Sequence, residues 1–501
     1  MKKAILSLSL ILCLSFLLFL KDYKTSVEAN PTTLTVDDDG TTGFHNIQEA
    51  INNASSGNTI FVCKGTYYEN LVINKSISLI GEEKKSTIIN GSENGSVIFI
   101  KGVNNVIVEG FTLINSGDKS PYDSGIRIEN SSNSTISDNI IQNNCNGISL
   151  FNAGKIVICG NNISENNYGI SLYSSFNNLI KRNIISGNEY GIGLYWSQRN
   201  IVSANTLFDN VYSVGIAFSS DNIIYHNNFN KVSSTESTNI WSYDGEGNYW
   251  SNYSERDLNG DGIGDVPYVI DESGQMDSNP LMGMFSEFDF AYKGEACWVA
   301  IISNSTICDF RFQIGAETGN KILQFKVEGG DGTFGFCRVM IPRQFMDYPY
   351  VVLVGGWDVT PAFLDVSNET HGCLYFTYPH ENQTVMITSF KLYSELLDSY
   401  QRLQGYLYQL NITYYNLVNA YAELQANFYY LLGNYTQLQN AYQELNSSHQ
   451  VHLLEYSENI DKVQNLTYVF GASTAILIIA IVYLSKRAHA GVTSKRFGES
   501  E

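Results

Sequence analysis

Gly147-Ile148-Ser149-Leu150, Gly169-Ile170-Ser171-Leu172 and Gly191-Ile192-Gly193-Leu194 are one phrase repeated at intervals of 22 residues. Gly125 extends the series one step towards the N-terminus. The same interval separates Asn139, Asn161, Asn183, Asn205 and Asn227, and also Ile136, Ile158, Ile180 and Val202. Within each phrase apolar residues alternate with small or polar ones, which is the period of a strand. A unit this short cannot bury its own apolar face, so it must stack on its neighbours. The arrangement that fits is a parallel β-helix with one 22-residue turn per coil. Stacking places equivalent residues about 4.8 Å apart. The asparagines are expected to form an amide ladder at the bends, and the Ile/Val column to fill the core.

The chain has 501 residues, too many for one compact domain. A net charge of −20 argues against a nucleic-acid partner. Lys2 and Lys3 precede an apolar run from Ala4 to Leu20, and Val27-Glu28-Ala29 offers small residues for cleavage. Residues 1–29 are therefore expected to be a secretory signal peptide. Fifteen Asn-x-Ser/Thr sites, Asn74, Asn130, Asn304 and Asn465 among them, fit an exported glycoprotein. Cys297, Cys308, Cys337 and Cys373 fall in one later segment. They are either buried thiols or two disulfides with three possible pairings. No Cys-x-x-Cys occurs, so a zinc or redox site has no support.

The repeats are flanked by further β-helix signals. Asp37-Asp38-Asp39-Gly40 leads into Ile47-Gln48-Glu49-Ala50-Ile51, where Ile47, Ala50, Ile51 and Ala54 share one helical face. A short helix here would cover the open end of the solenoid. Gly65-Thr66-Tyr67-Tyr68-Glu69-Asn70 and Asn74-Lys75-Ser76-Ile77-Ser78-Leu79-Ile80-Gly81 follow, and Gly247-Asn248-Tyr249-Trp250-Ser251-Asn252-Tyr253 comes after the repeats. Through these motifs, roughly residues 34 to 282, the chain resembles the NosD-like family of right-handed parallel β-helix proteins. The resemblance implies the fold strongly. It implies activity weakly, because the family spans copper-enzyme accessory proteins, carbohydrate-active modules and surface proteins. On this reading residues 30–250 are the β-helix and 251–284 its Asp-rich, calcium-type end.

Residues 285–391 lose the 22-residue phase, and short apolar runs alternate with Gly-, Asn- and Asp-rich turns. A small β-sandwich is predicted. Gly332-Thr333-Phe334-Gly335-Phe336-Cys337 and Tyr375-Phe376-Thr377-Tyr378-Pro379 resemble a β-domain of archaeal surface proteins. Over residues 392–464, Leu396, Leu403, Leu410, Leu417, Leu424, Leu431, Leu438 and Leu445 recur every seven residues, with Tyr400, Leu407, Tyr414 and Tyr421 in the companion column. That is a heptad seam, expected to form a coiled-coil stalk, roughly 85 Å long from residue 396 to 452, and to bring copies together as a homo-oligomer. Residues 466–485 are uncharged and mostly apolar, the length of a single transmembrane helix. Lys486, Arg487, Lys495 and Arg496 in the tail 486–501 place the C-terminus in the cytoplasm.

Three groups of residues carry candidate chemistry. Asp257, Asn259, Asp261, the Ile263 carbonyl and Asp265 have the alternation of a Ca²⁺ loop, with Gly262 at the sharp turn. The usual bidentate acid is replaced by Tyr268, so Asp271 or Asp277 would have to serve. Phe151, Tyr173 and Tyr195 each follow a repeat glycine by four residues and should point outward, with Trp196 alongside. Exposed aromatic faces along a groove suit sugar rings; a purely stabilising stack is the alternative. Asp123, Arg127 and Glu129 are the weak catalytic candidates, because a polysaccharide lyase or hydrolase needs converging carboxylates and no acids align in phase. No organic cofactor is expected. The expected whole is a mainly β, single-pass cell-membrane protein. Its extracellular bulk would bind a glycan or another cell-envelope component. The alternatives are a surface polysaccharide lyase or hydrolase and a helper in copper-site assembly.

Overall fold

A computed structural model describes residues 32–40, 43–314, 320–364, 367, 369–436 and 445–490. The expected signal peptide at 1–29 and the tail beyond 490 lie outside the described residues. The chain divides into two compact units, residues 1–287 and 288–501.

The first unit is the parallel β-solenoid that the repeat predicts. Three parallel sheets run its length, with nine, eight and nine strands. Each coil contributes one strand to each sheet. In the central coils a six-residue strand such as Tyr168–Tyr173 is followed by two of three residues, Leu179–Lys181 and Ile184–Ser186. Register advances by one repeat per coil: Ile148 pairs with Ile170 and Ile170 with Ile192. The Ile136, Ile158, Ile180 and Val202 column is fully buried, as are Ile126, Ile148, Ile170 and Ile192.

The bends explain the asparagines. Asn139, Asn161, Asn183 and Asn205 are buried. The Asn161 side-chain amide donates to Asn183 Oδ1 at 3.0 Å and to the Ile136 carbonyl at 2.9 Å. Asn183 Oδ1 also accepts the backbone N–H of Asn161 at 3.0 Å. Each side chain thus satisfies groups that a tight bend removes from the sheets. The ladder continues through Asn227 and Asn248. Two further ladders occupy other bends, one through Asn144, Asn166, Asn188 and Asn210, the other through Asn178, Asn200 and Asn222.

Both ends of the solenoid are closed. The helix Ile47–Asn53 buries Ile47, Ala50 and Ile51 over the first coil. Its Asn46 N-cap makes no side-chain cap. Instead the Glu69 carboxylate accepts the Ile47 and Gln48 N–H groups, both at 2.8 Å, placing negative charge at the positive end of the helix. At the far end Trp241 and Trp250 are buried, and Trp250 stacks on Tyr268 at 4.0 Å.

The second unit begins with two five-stranded antiparallel sheets. Their shared core includes Val299, Ile301, Leu323, Phe325, Val339 and Ile387. Among the described residues no disulfide forms; Cys297, Cys337 and Cys373 are buried thiols and Cys308 is half-buried. Burial pushes the Cys337 thiol up to about 11.

Two helices follow, Phe390–Thr436 and Leu445–Ala490. The rings of Tyr421 and Tyr456 stack at 4.3 Å. An unbroken helix would hold residues that far apart in sequence about 50 Å from each other. The single continuous stalk expected over 392–464 is therefore replaced by two helices that meet at these tyrosines. The seam leucines Leu410, Leu417 and Leu424 are exposed in the single chain. Among the described residues no helix is long and apolar enough to cross a membrane. The expected span at 466–485 is helical, and several of its side chains lie outside the described residues.

Candidate functional site

The long strand of each coil ends at a corner with left-handed backbone. Asn130, Asn152, Ser174, Trp196 and Phe218 occupy equivalent places there, with φ between 48° and 52°. Side chains other than glycine and asparagine avoid this region, at about 1–2 kcal/mol each. Asparagine fits at 130 and 152, where Asn152 Nδ2 donates to Asn130 Oδ1 at 2.7 Å. Tryptophan and phenylalanine fit poorly. They are not buried in exchange: Trp196 is 58% exposed and Phe218 43%. Their rings stack at 5.5 Å, nearly parallel. The corner beneath Trp196 is Ser174, so no neighbouring ring covers the second indole face.

The same corner carries a groove of about 350 Å³. Gly154 lies at its floor, and a Cβ added there would meet the Phe176 backbone oxygen at 3.0 Å and its ring at 3.7 Å. Asn130, Asn152, Lys155 and Asn177 also line it. Phe176, one coil before Gln198, is 41% exposed. The groove and the Trp196–Phe218 pair form one strip along the solenoid axis, rich in amides and hydroxyls and set with three exposed aromatic rings.

The column expected to present aromatic faces behaves differently. Phe151 stacks on Tyr173 at 5.0 Å and Tyr173 on Tyr195 at 5.1 Å. Tyr122 extends the stack beyond Phe151 at 5.6 Å. A parallel column, Tyr168, Tyr190 and Tyr212, stacks at 5.0 and 5.2 Å. The two columns lean together over Ser149, Ser171, Gly193 and Gly215; Ser149 and Ser171 are fully buried although they point away from the core. A Cβ on Gly193 would meet the Tyr195 ring at 2.8 Å. Tyr195 Oη donates to Tyr168 Oη at 3.3 Å, and burial pushes the Tyr173 hydroxyl up to about 12. The rings cover one another's faces, so this column turns edges to solvent. Phe151, Tyr173 and Tyr195 form a packing layer, because a spacing of one coil is the contact distance of stacked rings. Of the four expected residues Trp196 is exposed, whereas Phe151, Tyr173 and Tyr195 are half-buried.

The catalytic candidates do not converge. Arg127 Nη2 binds Glu129 Oε2 at 2.6 Å, and the guanidinium lies against the rings of Phe99, Tyr122 and Phe151. Asp123 Oδ2 accepts the Lys119 N–H at 3.0 Å. Each carboxylate is committed to holding its own neighbourhood.

In the Asp-rich loop Asp257 accepts N–H groups of Gly260 at 2.7 Å, Asp261 at 3.1 Å and Gly262 at 2.8 Å. Asp261 Oδ1 accepts the Ile263 N–H at 2.9 Å, and Asp265 binds the Leu258 N–H. Asn259 is exposed and Ile263 is buried. Neither expected twelfth-position acid is at hand. Asp271 caps its own turn at Ser273 and Gln275, and Asp277 is buried against Trp250 and Asn248. Among the described residues no group of three or more His, Cys, Asp or Glu is placed to hold a metal ion.

Sequence reasoning passed over Phe176, Phe218, Lys155 and Arg199. Their signal lay in the 22-residue column through 174, 196 and 218 and its neighbours, where large or charged side chains replace Asn and Ser.

Residues 51–255 match the family model of NosD, described as periplasmic copper-binding protein. Over these residues the solenoid is similar to that family. A cell surface glycoprotein of Methanothermus fervidus is 46% identical over 103 residues, 20% of this chain and 16% of the relative. The chain thus spans about a sixth of the length of that relative. Two solved structures are similar to the chain. A family 28 exopolygalacturonase of Yersinia enterocolitica is 13% identical, covers 45% of this chain and 60% of its own, and has a TM-score of 0.35. The Dettilon tailspike protein is 11% identical, covers 71% and 94%, and has a TM-score of 0.33. From residue 32 to 250 there is no methionine, and the histidines are His45 and His226. His226 Nε2 is bound to Glu246 at 2.7 Å and its ring packs on Phe285 at 4.0 Å.

Proposed function

We propose that the protein is a membrane-anchored extracellular β-solenoid that binds glycans of the cell envelope along the Asn152–Phe218 corner. One observation carries this reading: Trp196 and Phe218 hold an unfavourable backbone conformation and remain exposed. Strain kept without burial is the mark of a side chain retained for contact. An indole face beside amide and hydroxyl groups suits a sugar ring, whose C–H face is apolar and whose rim is polar. The match to a cell surface glycoprotein supports a surface location. Residues 466–485 are proposed as the membrane span, the exposed Leu410, Leu417 and Leu424 as the contact with a second copy, and Asp257, Asn259, Asp261, Ile263 and Asp265 as a Ca²⁺ loop. A lyase or hydrolase is disfavoured, because Asp123, Arg127 and Glu129 are bound to other groups.

The test is a glycan array probed with the full chain in lipid nanodiscs. Binding that falls about tenfold in Trp196→Ala, roughly 1.4 kcal/mol, is expected. Circular dichroism should show an intact solenoid. An array without hits, or a variant that binds like the parent, would falsify the reading.

A further inference from the structure

We propose that Asn130 and Asn133 carry N-linked glycans and that these sugars lie along the corner strip, so that the protein's own glycan covers Trp196 and competes with the envelope ligand. The proposal rests on the glycan-binding reading above and adds to it a regulating occupant.

An asparagine is modified where a Ser or Thr stands two places on, the Asn-x-Ser/Thr sequon, and where its side-chain nitrogen can be reached. The solenoid sorts its asparagines on both counts. In the ladder through Asn139, Asn161, Asn183 and Asn205, the place two residues on belongs to the core and holds Ile141, Ile163, Ile185 and Leu207, so these members are not sequons. Other sequons have the nitrogen engaged. Asn53 Nδ2 donates to the Glu49 carbonyl at 2.9 Å, Asn252 Nδ2 to Tyr268 Oη at 3.0 Å and Asn304 Nδ2 to the Phe334 carbonyl at 3.0 Å. Asn130-Ser131-Ser132-Asn133-Ser134-Thr135 holds two sequons in succession, and both asparagines are exposed. Asn130 is held through its oxygen, which accepts Asn152 Nδ2 at 2.7 Å. Among the described residues neither side-chain nitrogen of the pair makes a hydrogen bond.

The double sequon adjoins the aromatic strip. Asn130, Ser131 and Ser132 line the groove. Ser132 bridges to Gly154 at its floor, and Gly154 to Phe176. Asn130 heads the column Asn152, Ser174, Trp196 and Phe218, because the residues just before them, Glu129, Phe151, Tyr173, Tyr195 and Ala217, are partners on successive strands. Trp196 lies three coils on, about 14 Å at the spacing of stacked strands. A short oligosaccharide rooted at Asn130 spans that distance and passes Phe176 on the way. Its C–H faces suit the exposed rings, and its hydroxyls suit the amides of Asn152 and Asn177.

The covalent step takes its sugar from a donor of one class, an oligosaccharide joined through phosphate to a lipid. Nδ2 bonds to C1 of the first sugar as the C1–O bond to phosphate breaks. The phosphate leaves with the electron pair, and Nδ2 releases one proton to solvent. A ligand on a short flexible tether then acts at an effective concentration of the order of millimolar. A sugar–aromatic contact with a dissociation constant of the same order is about half occupied, which weakens an outside ligand about twofold.

The full chain purified from its native membrane is digested with trypsin, and the peptide Ile128–Lys155, which holds both sequons, is weighed. Hexose-bearing forms are expected. Hydroxyl-radical footprinting and the glycan array then compare the parent with two double variants, Ser132→Ala with Thr135→Val and Asn130→Asp with Asn133→Asp, all in neutral-lipid nanodiscs. Both pairs should oxidise Trp196 about twofold faster and bind array glycans about twofold tighter, with unchanged circular dichroism. Ser164→Ala, which removes the sequon of Asn162 on the strand Asn162–Ser164, should change neither. An unmodified peptide overturns the proposal and leaves the glycan-binding reading as it stands. So does a glycosylated peptide with Trp196 oxidised at one rate in parent and variants. A change confined to one pair assigns it to packing and also overturns the cover. Faster oxidation in both pairs, with no array glycan bound by any form, supports the cover and overturns the envelope ligand.

Discussion

The buried carboxylate of Asp277 ends the ladder at Asn248: Oδ2 accepts the Asn248 backbone N–H at 2.7 Å and faces its side-chain amide at 3.3 Å. The ladder has a direction. From Asn139 onward each Nδ2 donates to the Oδ1 of the next coil. The last member therefore needs an acceptor with nothing left to donate, and a carboxylate is that group. Trp250 Nε1 donates to the same oxygen at 2.9 Å.

Exchanging acid and amide should therefore fail in both places. Asp277→Asn turns an amide N–H towards a cluster of donors, and Asn183→Asp turns an acceptor towards Asn205 Oδ1. Each is expected to lower stability by about 2–4 kcal/mol, since each leaves buried polar groups unsatisfied. Chemical denaturation of the full chain checks this, and an Asn183→Asp variant as stable as the parent would refute the directional ladder.

Trp196→Asn separates stability from contact. Asparagine is the side chain the left-handed corner accepts, as at Asn130 and Asn152. Relief of backbone strain, about 1 kcal/mol, roughly offsets the lost stacking on Phe218. Thermal unfolding should move little or upward. A substantial fall would assign the indole to packing instead.

The Glu287 carboxyl is buried, which raises its pKa, but Lys181 and Arg182 outweigh burial and hold it below the usual carboxylate range. A folded value below the unfolded one gives stability that is present above pH of about 4.5 and lost as pH falls through the folded value. Unfolding measured from neutral to acid pH should decline in that window, and Glu287→Gln should flatten the decline. A variant that keeps the parent's acid slope would place the effect elsewhere.

Calcium, if bound by the 257–265 loop, must displace the loop's own N–H groups from Asp257 and Asp265. Chelation should lower the unfolding temperature of the parent, and Asp261→Ala should abolish that response. A melting curve indifferent to chelator would reduce the loop to a self-bonded turn.

Much of the first unit was legible because a period of 22 leaves its mark on every coil. Asn139 to Asn227 and Ile136 to Val202 announced the bends and the core directly. The second and third asparagine ladders were present at the same spacing, masked by the abundance of asparagine around them. Asp277 was out of reach, since it joins the ladder from a closing loop that keeps no phase. Glu69 was equally hidden: it caps the helix Ile47–Asn53 across 21 and 22 residues, where local rules look for the cap at Asn46. Alternation assigns Phe151, Tyr173 and Tyr195 to the outside, one above another on successive coils, but it does not separate a sugar platform from a stabilising stack, which depends on how closely the rings cover one another. In the second unit the seven-residue seam was plain, whereas the meeting of Tyr421 with Tyr456 depends on a change of direction that no periodicity records.

The direction of the asparagine ladder has a consequence for how such a chain can vary. Through the asparagine ladder each 22-residue coil offers its neighbours the same donors and acceptors, whereas the Glu69-capped helix, Asp277 and the pairing of Glu287 with Lys181 and Arg182 belong to particular coils. Duplicating or deleting a whole 22-residue unit between Asn161 and Asn205 leaves both ends chemically unaltered. The solenoid is in effect a ruler whose length can change in steps of about 4.8 Å by unequal recombination, with Glu287 the one buried charge whose partners would have to be restored.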